Sequence, residues 1–346
     1  MHPFFKDVGA AIPLVQAPMA GAQDETLAIA VAQKGAIGSI ACARLQPSEI
    51  TASVKRFREH TSGPLNLNFF CHDVVPRDPL QEALWLNELR GFYNALDLTT
   101  MYPTDVTLYP IDGALADIVC TLKPEIVSFH FGLPSQAIVD CIRAAGSKII
   151  ATATTLKEAR YLEDQGCDAV IVQGREAGGH QGIFLPNPES EPLPLMDLLA
   201  QCATELTVPL IAAGGIADAA TIQSAIGAGA AGTQIGTRFL KTPESTIPPL
   251  HRSILEGESD RETAITNVFT GRPARGFVNK LVQEVGPINP NVQTFPMAMS
   301  AVAPLRTATQ GSEDFVAMWA GENWQIGQAK AAADVIDELK SGFDTD

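Results

Sequence analysis

The chain has 346 residues, of which 46% are hydrophobic and 18% are charged, so it can build a large core and lacks the composition of a disordered protein. Its formal net charge of −15 argues against binding along a nucleic-acid backbone, which needs clustered Lys and Arg. The sequence shows neither a basic start followed by an apolar signal core nor an uncharged run near the ~20 residues of a membrane span, so we expect a cytoplasmic protein with no nucleic-acid or membrane partner.

Short apolar runs alternate with helical patterns along the first two thirds of the chain. The predicted strands are Leu14–Ala17, Ala36–Ile40, Leu65–Phe69, Ile126–Phe129, Lys148–Ala151, Ala169–Val172, Leu210–Ala213 and Gly232–Ile235. The predicted helices between them include Glu25–Gln33, Ser48–Glu59, Ser135–Ala145, Leu156–Gln165, Met196–Glu205 and Ala219–Gly227, with Asp24, Ser48, Thr155 and Asp218 as N-cap residues. Strict alternation requires parallel pairing with right-handed crossovers, so the pattern predicts an α/β protein with a closed (β/α)8 TIM barrel rather than an open doubly wound sheet.

Two segments depart from this even spacing. Residues 1–240 are expected to form the barrel, with an insertion at about 70–123 that contains a helix around Leu80–Asn94. Residues 241–346 are expected to be a partly helical segment, with an amphipathic helix at Gln328–Lys340 and no independent second core. This segment should pack at the barrel mouth and help to form the substrate pocket.

The six cysteines are scattered without any Cys-x-x-Cys spacing. This pattern favours neither a metal cluster nor a disulfide framework. Reduced and mostly buried thiols are the expectation, and no metal site is predicted.

Three glycine-rich segments follow the last predicted strands. They are Gln173-Gly174-Arg175-Glu176-Ala177-Gly178-Gly179-His180, Ala212-Ala213-Gly214-Gly215-Ile216 and Gln234-Ile235-Gly236-Thr237-Arg238. Paired glycines let backbone N–H groups approach an anion that a Cβ atom would hold away. TIM barrels often bind phosphate after strands seven and eight, so these segments predict a cradle for a phosphorylated cofactor.

Polar side chains and Met19 occur where the predicted strands end. In this fold the chemistry collects at the carboxyl ends of the strands. We therefore expect Met19, Asn68, His130, Gln173 and His180 to converge on one barrel mouth.

These motifs resemble the FMN-dependent nitronate monooxygenases of class I, formerly grouped as 2-nitropropane dioxygenases. The resemblance spans most of the chain, and Ser128-Phe129-His130-Phe131-Gly132 discriminates most, since the glycine motifs also occur in FMN-dependent enoyl and quinone reductases. The other matching segments are Gln16-Ala17-Pro18-Met19, Gln234-Ile235-Gly236-Thr237-Arg238-Phe239 and Trp319-Ala320-Gly321. One departure concerns the substrate pocket: class I members carry tyrosines and a lysine in the C-terminal segment, whereas residues 296–304 here hold Met297 and Met299 and no tyrosine.

The resemblance implies an enzyme that binds an alkyl nitronate over FMN. The nitronate would give one electron to FMN and form a flavin semiquinone, which O₂ reoxidises. The products would be a carbonyl compound and nitrite. A neutral nitroalkane must first lose its α-proton, and His130 is the predicted catalytic base, since a neutral imidazole suits this task near pH 7. A homodimer is compatible with this interpretation. The residues implied to bind the cofactor are Ala17, Pro18, Met19, Asn68, Gln173, Gly178, Gly179, Gly214, Gly215, Gly236 and Thr237, and His180 is expected to bind substrate.

Each of these residues also has a structural interpretation. His130 could be a hydrogen-bonded core histidine, and Met19 could be a core residue. His180 could help to position flavin or substrate, could transfer a proton directly, or could simply cap its loop. Asn68 and Gln173 could satisfy backbone groups instead of contacting a flavin. Glu176 could be catalytic, or it could form a salt bridge in its loop or act as a cap. Trp319 could anchor the tail, and Arg272 and Arg275 could attract an anionic substrate or lie in solvent.

Two other functions use the same features. An NAD(P)H-dependent FMN reductase of an enoyl thioester or quinone would need the same cradle and barrel, and hydride consumption would distinguish it. A non-catalytic barrel that binds a phosphorylated ligand would keep the glycine loops without needing a reactive His130.

Overall fold

The computed structural model describes residues 1–98, 108–186, 192–257 and 260–344. Its strands are Leu14–Gln16 (β1), Gly38–Ala41 (β2), Leu65–Phe70 (β3), Ile126–His130 (β4), Lys148–Ala153 (β5), Ala169–Gln173 (β6), Gly179–His180 (β7), Leu210–Ala213 (β8), Gly232–Ile235 (β9), Thr263–Thr266 (β10) and Ala274–Phe277 (β11). Strands β1 to β6, β8 and β9 pair in parallel in the order β1-β9-β8-β6-β5-β4-β3-β2. The eight strands predicted from the sequence are therefore confirmed.

Backbone hydrogen bonds between β1 and the residue before β2 close this sheet into a barrel. Gln16 N donates to the Ile37 carbonyl over 2.9 Å, and Ile37 N donates to the Leu14 carbonyl over 2.8 Å. With helices between the strands, the architecture is the predicted (β/α)8 TIM barrel.

The helices of the described residues are Pro3–Asp7 (α1), Glu25–Gln33 (α2), Pro47–His60 (α3), Pro79–Ala95 (α4), Gly113–Leu122 (α5), Gln136–Ala144 (α6), Leu156–Asp164 (α7), Leu195–Glu205 (α8), Ala219–Gly227 (α9), Thr237–Leu240 (α10), Pro249–Glu256 (α11), Lys280–Val285 (α12), Ala298–Ala308 (α13) and Ala332–Leu339 (α14). All the predicted helices are present to within a few residues at each end. The C-terminal helix is shorter than predicted and continues as a 3₁₀ turn at Lys340–Phe343.

Three of the four predicted N-caps are confirmed. The side chains of Asp24, Thr155 and Asp218 each accept a hydrogen bond from the first turn of the helix that follows. The prediction for Ser48 is wrong, because α3 begins at Pro47 with Gln46 as its cap. Proline is favoured at the first helical position, where its fixed φ suits the helix and its missing N–H is not needed.

Helix α1 closes the amino-terminal end of the barrel. Phe4 and Phe5 are buried against inward-facing strand residues such as Val15, Ile126 and Ile171. Because successive strand residues face opposite sides, the next inward positions toward the carboxyl ends hold the polar side chains considered below.

A second hydrophobic cluster lies outside the barrel. It joins α4 of the insertion to the C-terminal segment, with Trp85 and Leu89 buried in the same cluster as Ala298 and Leu305. Trp85 Nε1 donates to the Ala298 carbonyl over 3.4 Å. The C-terminal segment, expected to have no independent second core, shares this cluster with the insertion.

The same segment contributes a small antiparallel sheet that the sequence did not predict. Strand β11 pairs with β10 on one side and with β7 on the other. The second pairing places Ala274 opposite His180, and it thereby attaches the C-terminal segment to the barrel mouth.

The expectation of six reduced cysteines is not met. Cys120 on α5 and Cys141 on α6 are joined as a disulfide, with Cα atoms 6.6 Å apart. The two helices are neighbours on the barrel exterior, and this proximity left no signal in the cysteine spacing. Within the described ranges, no helix is both long and apolar enough to span a membrane.

Candidate active site

The carboxyl ends of β3 to β6 present polar side chains to the barrel mouth. Asn68 Nδ2 on β3 donates to Ser128 Oγ on β4 over 2.9 Å. His130, two residues after Ser128, faces the same side. Thr152 and Gln173 occupy the corresponding ends of β5 and β6. Three of the residues predicted to converge, Asn68, His130 and Gln173, therefore lie on neighbouring strands of one mouth.

His130 hydrogen-bonds through both ring nitrogens. Its Nε2 lies 3.1 Å from the carbonyl oxygen of His180, and its Nδ1 lies 3.3 Å from Thr152 Oγ1. A carbonyl oxygen only accepts, so Nε2 carries the proton and Nδ1 has the lone pair. Burial lowers the pKa of His130 to about 4; the bond to the His180 carbonyl opposes this effect, and nearby Arg272 adds to it. The ring is therefore neutral at pH 7.

His180 is held by the C-terminal segment. Its Nε2 lies 2.9 Å from Thr270 Oγ1, and its Nδ1 has no hydrogen-bond partner among the described residues. Burial lowers the pKa of His180 to about 3, and the positive charges that His130, Arg272 and His72 can carry act in the same direction. The two histidines thus form a neutral pair linked through one backbone carbonyl.

Gln173 orders the loop between these residues. Its Nε2 donates to the His180 carbonyl over 3.1 Å, and its Oε1 accepts from Gly182 N over 2.7 Å. Of the two interpretations of Gln173 left open by the sequence, the structure shows the one in which the amide satisfies backbone groups.

Aromatic side chains surround the histidine pair. Phe131 adopts a φ of 69°, a left-handed conformation that is unusual for a bulky residue. Such strain costs about 1–3 kcal/mol and persists only where the surroundings enforce it. Phe131 and Phe295 are 5.4 Å apart between ring centroids, and Phe295 lies 5.5 Å from His180. Trp319 lies 5.5 Å from His180 by the same measure.

The predicted glycine cradle lies beside this mouth. Gly214 and Gly215 have φ angles of 113° and 68°, which favour glycine. A Cβ atom on Gly215 would lie 3.2 Å from Glu176 Cβ. A Cβ atom on Gly236 would lie 3.3 Å from Ala17 Cβ and 3.7 Å from Met19 Sδ, so the first predicted strand end, with Pro18 between these two residues, adjoins the cradle.

Residues 319–323, which we call the strap, run across the cradle. Gly321 N donates to Thr237 Oγ1 over 2.9 Å, and Asn323 Nδ2 donates to the Gly215 carbonyl over 2.7 Å. A Cβ atom on Gly178 would lie 2.5 Å from Gly321 N, so glycine is needed there for the strap to approach. At Gly179, φ is 75° and a Cβ atom would meet nothing within 4 Å.

Two charged residues of these motifs have structural roles. The Glu176 carboxylate accepts from Leu195 N at 3.0 and 3.1 Å and so caps α8, as one of its interpretations expected. Arg275 is 8% exposed, and its Nε donates to the Arg175 carbonyl over 2.8 Å. It is therefore not a solvated arginine.

Sequence reasoning missed several residues of this site. Thr152, Thr270 and Phe295 were not singled out, although the first two contact the histidines directly. Thr270 and Phe295 reach the mouth from the C-terminal segment through contacts that no local pattern encodes. Thr152 could have been found, because it directly follows the fifth predicted strand, Lys148–Ala151, and lies within the observed β5.

Comparison with known proteins agrees with this architecture. Residues 3–342 match the family model described as nitronate monooxygenase. The chain is 35% identical to a nitronate monooxygenase of Paraburkholderia phytofirmans over 333 residues, which cover 95% of this chain and 91% of that protein. It is 34% identical over 345 residues to a nitronate monooxygenase of Pseudomonas aeruginosa, with 97% of each chain covered.

A solved structure is similar over the same length. The nitroalkane oxidase from Streptomyces ansochromogenes superposes with a TM-score of 0.88 at 33% identity, covering 98% of each chain. The match to the family model and the shared fold both extend over the barrel, the insertion and the C-terminal segment. The chain therefore belongs to the nitronate monooxygenase family of flavin-dependent oxidoreductases.

Proposed function

We propose that this enzyme uses FMN and O₂ to oxidise alkyl nitronates to a carbonyl compound and nitrite, and that it accepts neutral nitroalkanes after removing their α-proton. Family membership supports the oxidation of nitronates or nitroalkanes by a flavoenzyme. The observation that carries the proposal is the geometry of the His130–His180 pair beside the glycine cradle, which holds both rings in place and leaves His180 Nδ1 without a hydrogen-bond partner among the described residues.

The residues present fit FMN. Added Cβ atoms on Gly214, Gly215 and Gly236 would come within 3.0, 3.2 and 3.3 Å of neighbouring protein atoms, so the backbone is bare and closely packed at these two strand ends. Glycine-rich strand ends of this kind suit a terminal phosphate. Gln234 Oε1, on an inward-facing position of β9, is buried with no partner among the described residues, so a ligand donor such as a flavin ring N–H would satisfy it. Bound flavin would supply the redox chemistry, and the protein supplies binding, orientation and proton transfer.

The two histidines have different roles in proton transfer. The sequence predicts His130 as the base, but its Nε2 proton is engaged by the His180 carbonyl and its basic Nδ1 faces Thr152. The Thr270 hydroxyl has the Arg272 carbonyl as an acceptor at 3.3 Å, so it can accept from His180 Nε2–H. His180 Nδ1 then holds an unengaged lone pair. We therefore assign proton acceptance to His180 and a positioning role to His130, which fixes the His180 backbone.

The C-terminal segment completes the substrate side of the site. Phe295 and Trp319 pack around His180, and with Phe131 they restrict the access of water to the imidazole. Exclusion of water strengthens the electrostatic interactions of an anionic substrate within the pocket. We propose that this aromatic wall takes the place of the tyrosines found in other class I members.

Oxygen uptake and nitrite formation test the function directly. Purified protein given FMN and a preformed alkyl nitronate should consume O₂ and release nitrite without added NADH or NADPH. Protein that consumes NADH with an enoyl thioester or quinone, and does not attack the nitronate, would instead be a flavin reductase.

A further inference from the structure

Arg272 projects into the same mouth from the C-terminal segment. The preceding Gly271 has a φ of 92°, and a Cβ atom there would lie 2.3 Å from the Gln293 carbonyl oxygen. This close approach brings Arg272 to Phe295. The Arg272 Cζ lies 4.2 Å from the ring centroid of Phe131 and 5.7 Å from that of Phe295. The guanidinium is therefore packed against aromatic rings rather than free in solvent.

Most of the hydrogen-bonding capacity of Arg272 is unused. One side-chain bond is seen within the described parts of the chain, from Nη1 to the Ile183 carbonyl over 2.8 Å. A guanidinium has five N–H donors, and Arg272 takes part in none of the ion pairs found among the described residues. Burial lowers the pKa of Arg272, and the negative charge of Asp73 opposes that effect. A partly desolvated cation with free donors is a receptor for an anion.

The groups around Arg272 do not pair with it as an anion: Asp73 is exposed and forms no ion pair with Arg272 within the described residues, and the other ionisable neighbours are histidines. His72, His130 and His180 all have pKa values lowered chiefly by burial, and the Arg272 charge adds to the effect in each case. The neighbouring rings are therefore neutral. Arg272 therefore offers a positive charge to a ligand beside the histidine pair.

We propose that Arg272 binds the two oxygens of the substrate's nitronate group and so makes the enzyme select the anionic nitronate over the neutral nitroalkane. A nitronate is a planar two-oxygen anion like a carboxylate, and the guanidinium fork matches such a group through two parallel hydrogen bonds. The aromatic packing against Phe131 holds the plane of the fork. This inference rests on the proposed function, and it names a specificity-determining residue for it.

Two substitutions at this position separate charge from geometry. Arg272→Met removes the charge and keeps an unbranched side chain, whereas Arg272→Lys keeps the charge and loses the fork. Arg306→Met is the matched control, because Arg306 is exposed on α13 and its loss changes the net charge equally. Steady-state rates are measured with ethyl nitronate and with nitroethane, and the Kd of inert, planar nitrate is measured from its effect on the flavin absorbance.

Arg272→Met should lower kcat/KM for the nitronate at least about tenfold, mainly through KM, and weaken nitrate binding by a similar factor. The KM for nitroethane should change much less, because the neutral nitro group carries no net charge when it binds, and any loss with this substrate should appear in kcat, since the nitronate forms only after binding. Arg272→Lys should fall between the wild type and Arg272→Met, and Arg306→Met should match the wild type. Unchanged nitrate affinity and nitronate KM in Arg272→Met would overturn the inference, as would wild-type protein that does not bind nitrate. If Arg272→Met fails to fold, an unaltered nitronate KM in Arg272→Lys counts against the bidentate fork. Wild-type protein that oxidises neither substrate would contradict the proposed function, and the nitrate measurement would still decide the role of Arg272.

Discussion

His130 Nε2 lies 3.1 Å from the carbonyl oxygen of His180, so the two histidines of the barrel mouth are joined through backbone rather than through their rings. Gln173 Nε2 donates to the same oxygen, also over 3.1 Å. His180 is thus fixed by two barrel side chains on its carbonyl and by Thr270 on its ring. This arrangement leaves His180 Nδ1 for the substrate and accounts for the division of roles proposed above.

Substitution of the two histidines tests that division. His180→Asn should lose activity with neutral nitroalkanes about 10²–10⁴-fold more than with preformed nitronates, because only the nitroalkanes need a proton acceptor. His130→Asn should also affect nitroalkanes more than nitronates, but by a smaller factor than His180→Asn, since it acts through the position of His180. The measurement is kcat/KM for both forms in variants shown to retain flavin. A nitroalkane defect that is larger in His130→Asn than in His180→Asn would return the base to the residue predicted from sequence.

Gly215→Val should weaken flavin binding. Its φ of 68° disfavours a side chain, and the new Cβ atom would lie 3.2 Å from Glu176 Cβ and 3.3 Å from the strap side chain Asn323. Gly227→Val is the control, because a Cβ atom at this exposed helix position meets nothing within 4 Å. Flavin titration of the two folded variants should give a raised Kd only for Gly215→Val. Equal affinities would mean that the cradle lies elsewhere.

The cluster shared by the insertion and the C-terminal segment should contribute to global stability. Leu89→Ala removes a side chain that is 0% exposed and should cost about 2–5 kcal/mol. Leu84→Ala, on the same helix but 43% exposed, should change stability by less than about 0.5 kcal/mol. Denaturant midpoints of the two variants give the comparison. A Leu89→Ala protein as stable as Leu84→Ala would show that the buried Leu89 side chain does not contribute to global stability.

The histidine pair should make the folded protein sensitive to acid. The pKa values of His130 and His180 lie at about 4 and about 3, below the ordinary value of 6.5. Between pH 6.5 and about 4 the unfolded chain therefore binds protons that the folded chain does not, and stability falls as the pH falls. The double variant His130→Asn/His180→Asn should lose less unfolding free energy between pH 7.5 and pH 5 than the wild type.

Substitution of an exposed histidine controls for this effect. His60 lies exposed at the end of α3, so His60→Asn should keep the pH dependence of the wild type. A double variant with the same acid sensitivity as His60→Asn would show that the pair is not desolvated as described.

The barrel and part of the site were predictable because their signals are local. Apolar runs bounded by glycine and polar residues defined all eight barrel strands, and the rule for strand ends placed Asn68, His130 and Gln173 correctly. The surroundings of His180 were not predictable, because it pairs with Ala274, far away in the sequence. The contact of Arg272 with Phe131 depends on the same return of the chain and on a left-handed φ at Phe131. Such contacts arise from tertiary packing and leave no periodic pattern.

The most direct test of the account is the absorbance spectrum of the flavin-loaded protein under anaerobic conditions, recorded after separate additions of propionate 3-nitronate and of NADH. Nitronate should reduce the flavin rapidly, because it needs no proton acceptor and Arg272 gives the site a cation suited to that anion. NADH and NADPH should leave the spectrum unchanged at catalytically relevant rates. Rapid bleaching by NADH with no response to nitronate would contradict the account and identify a flavin reductase.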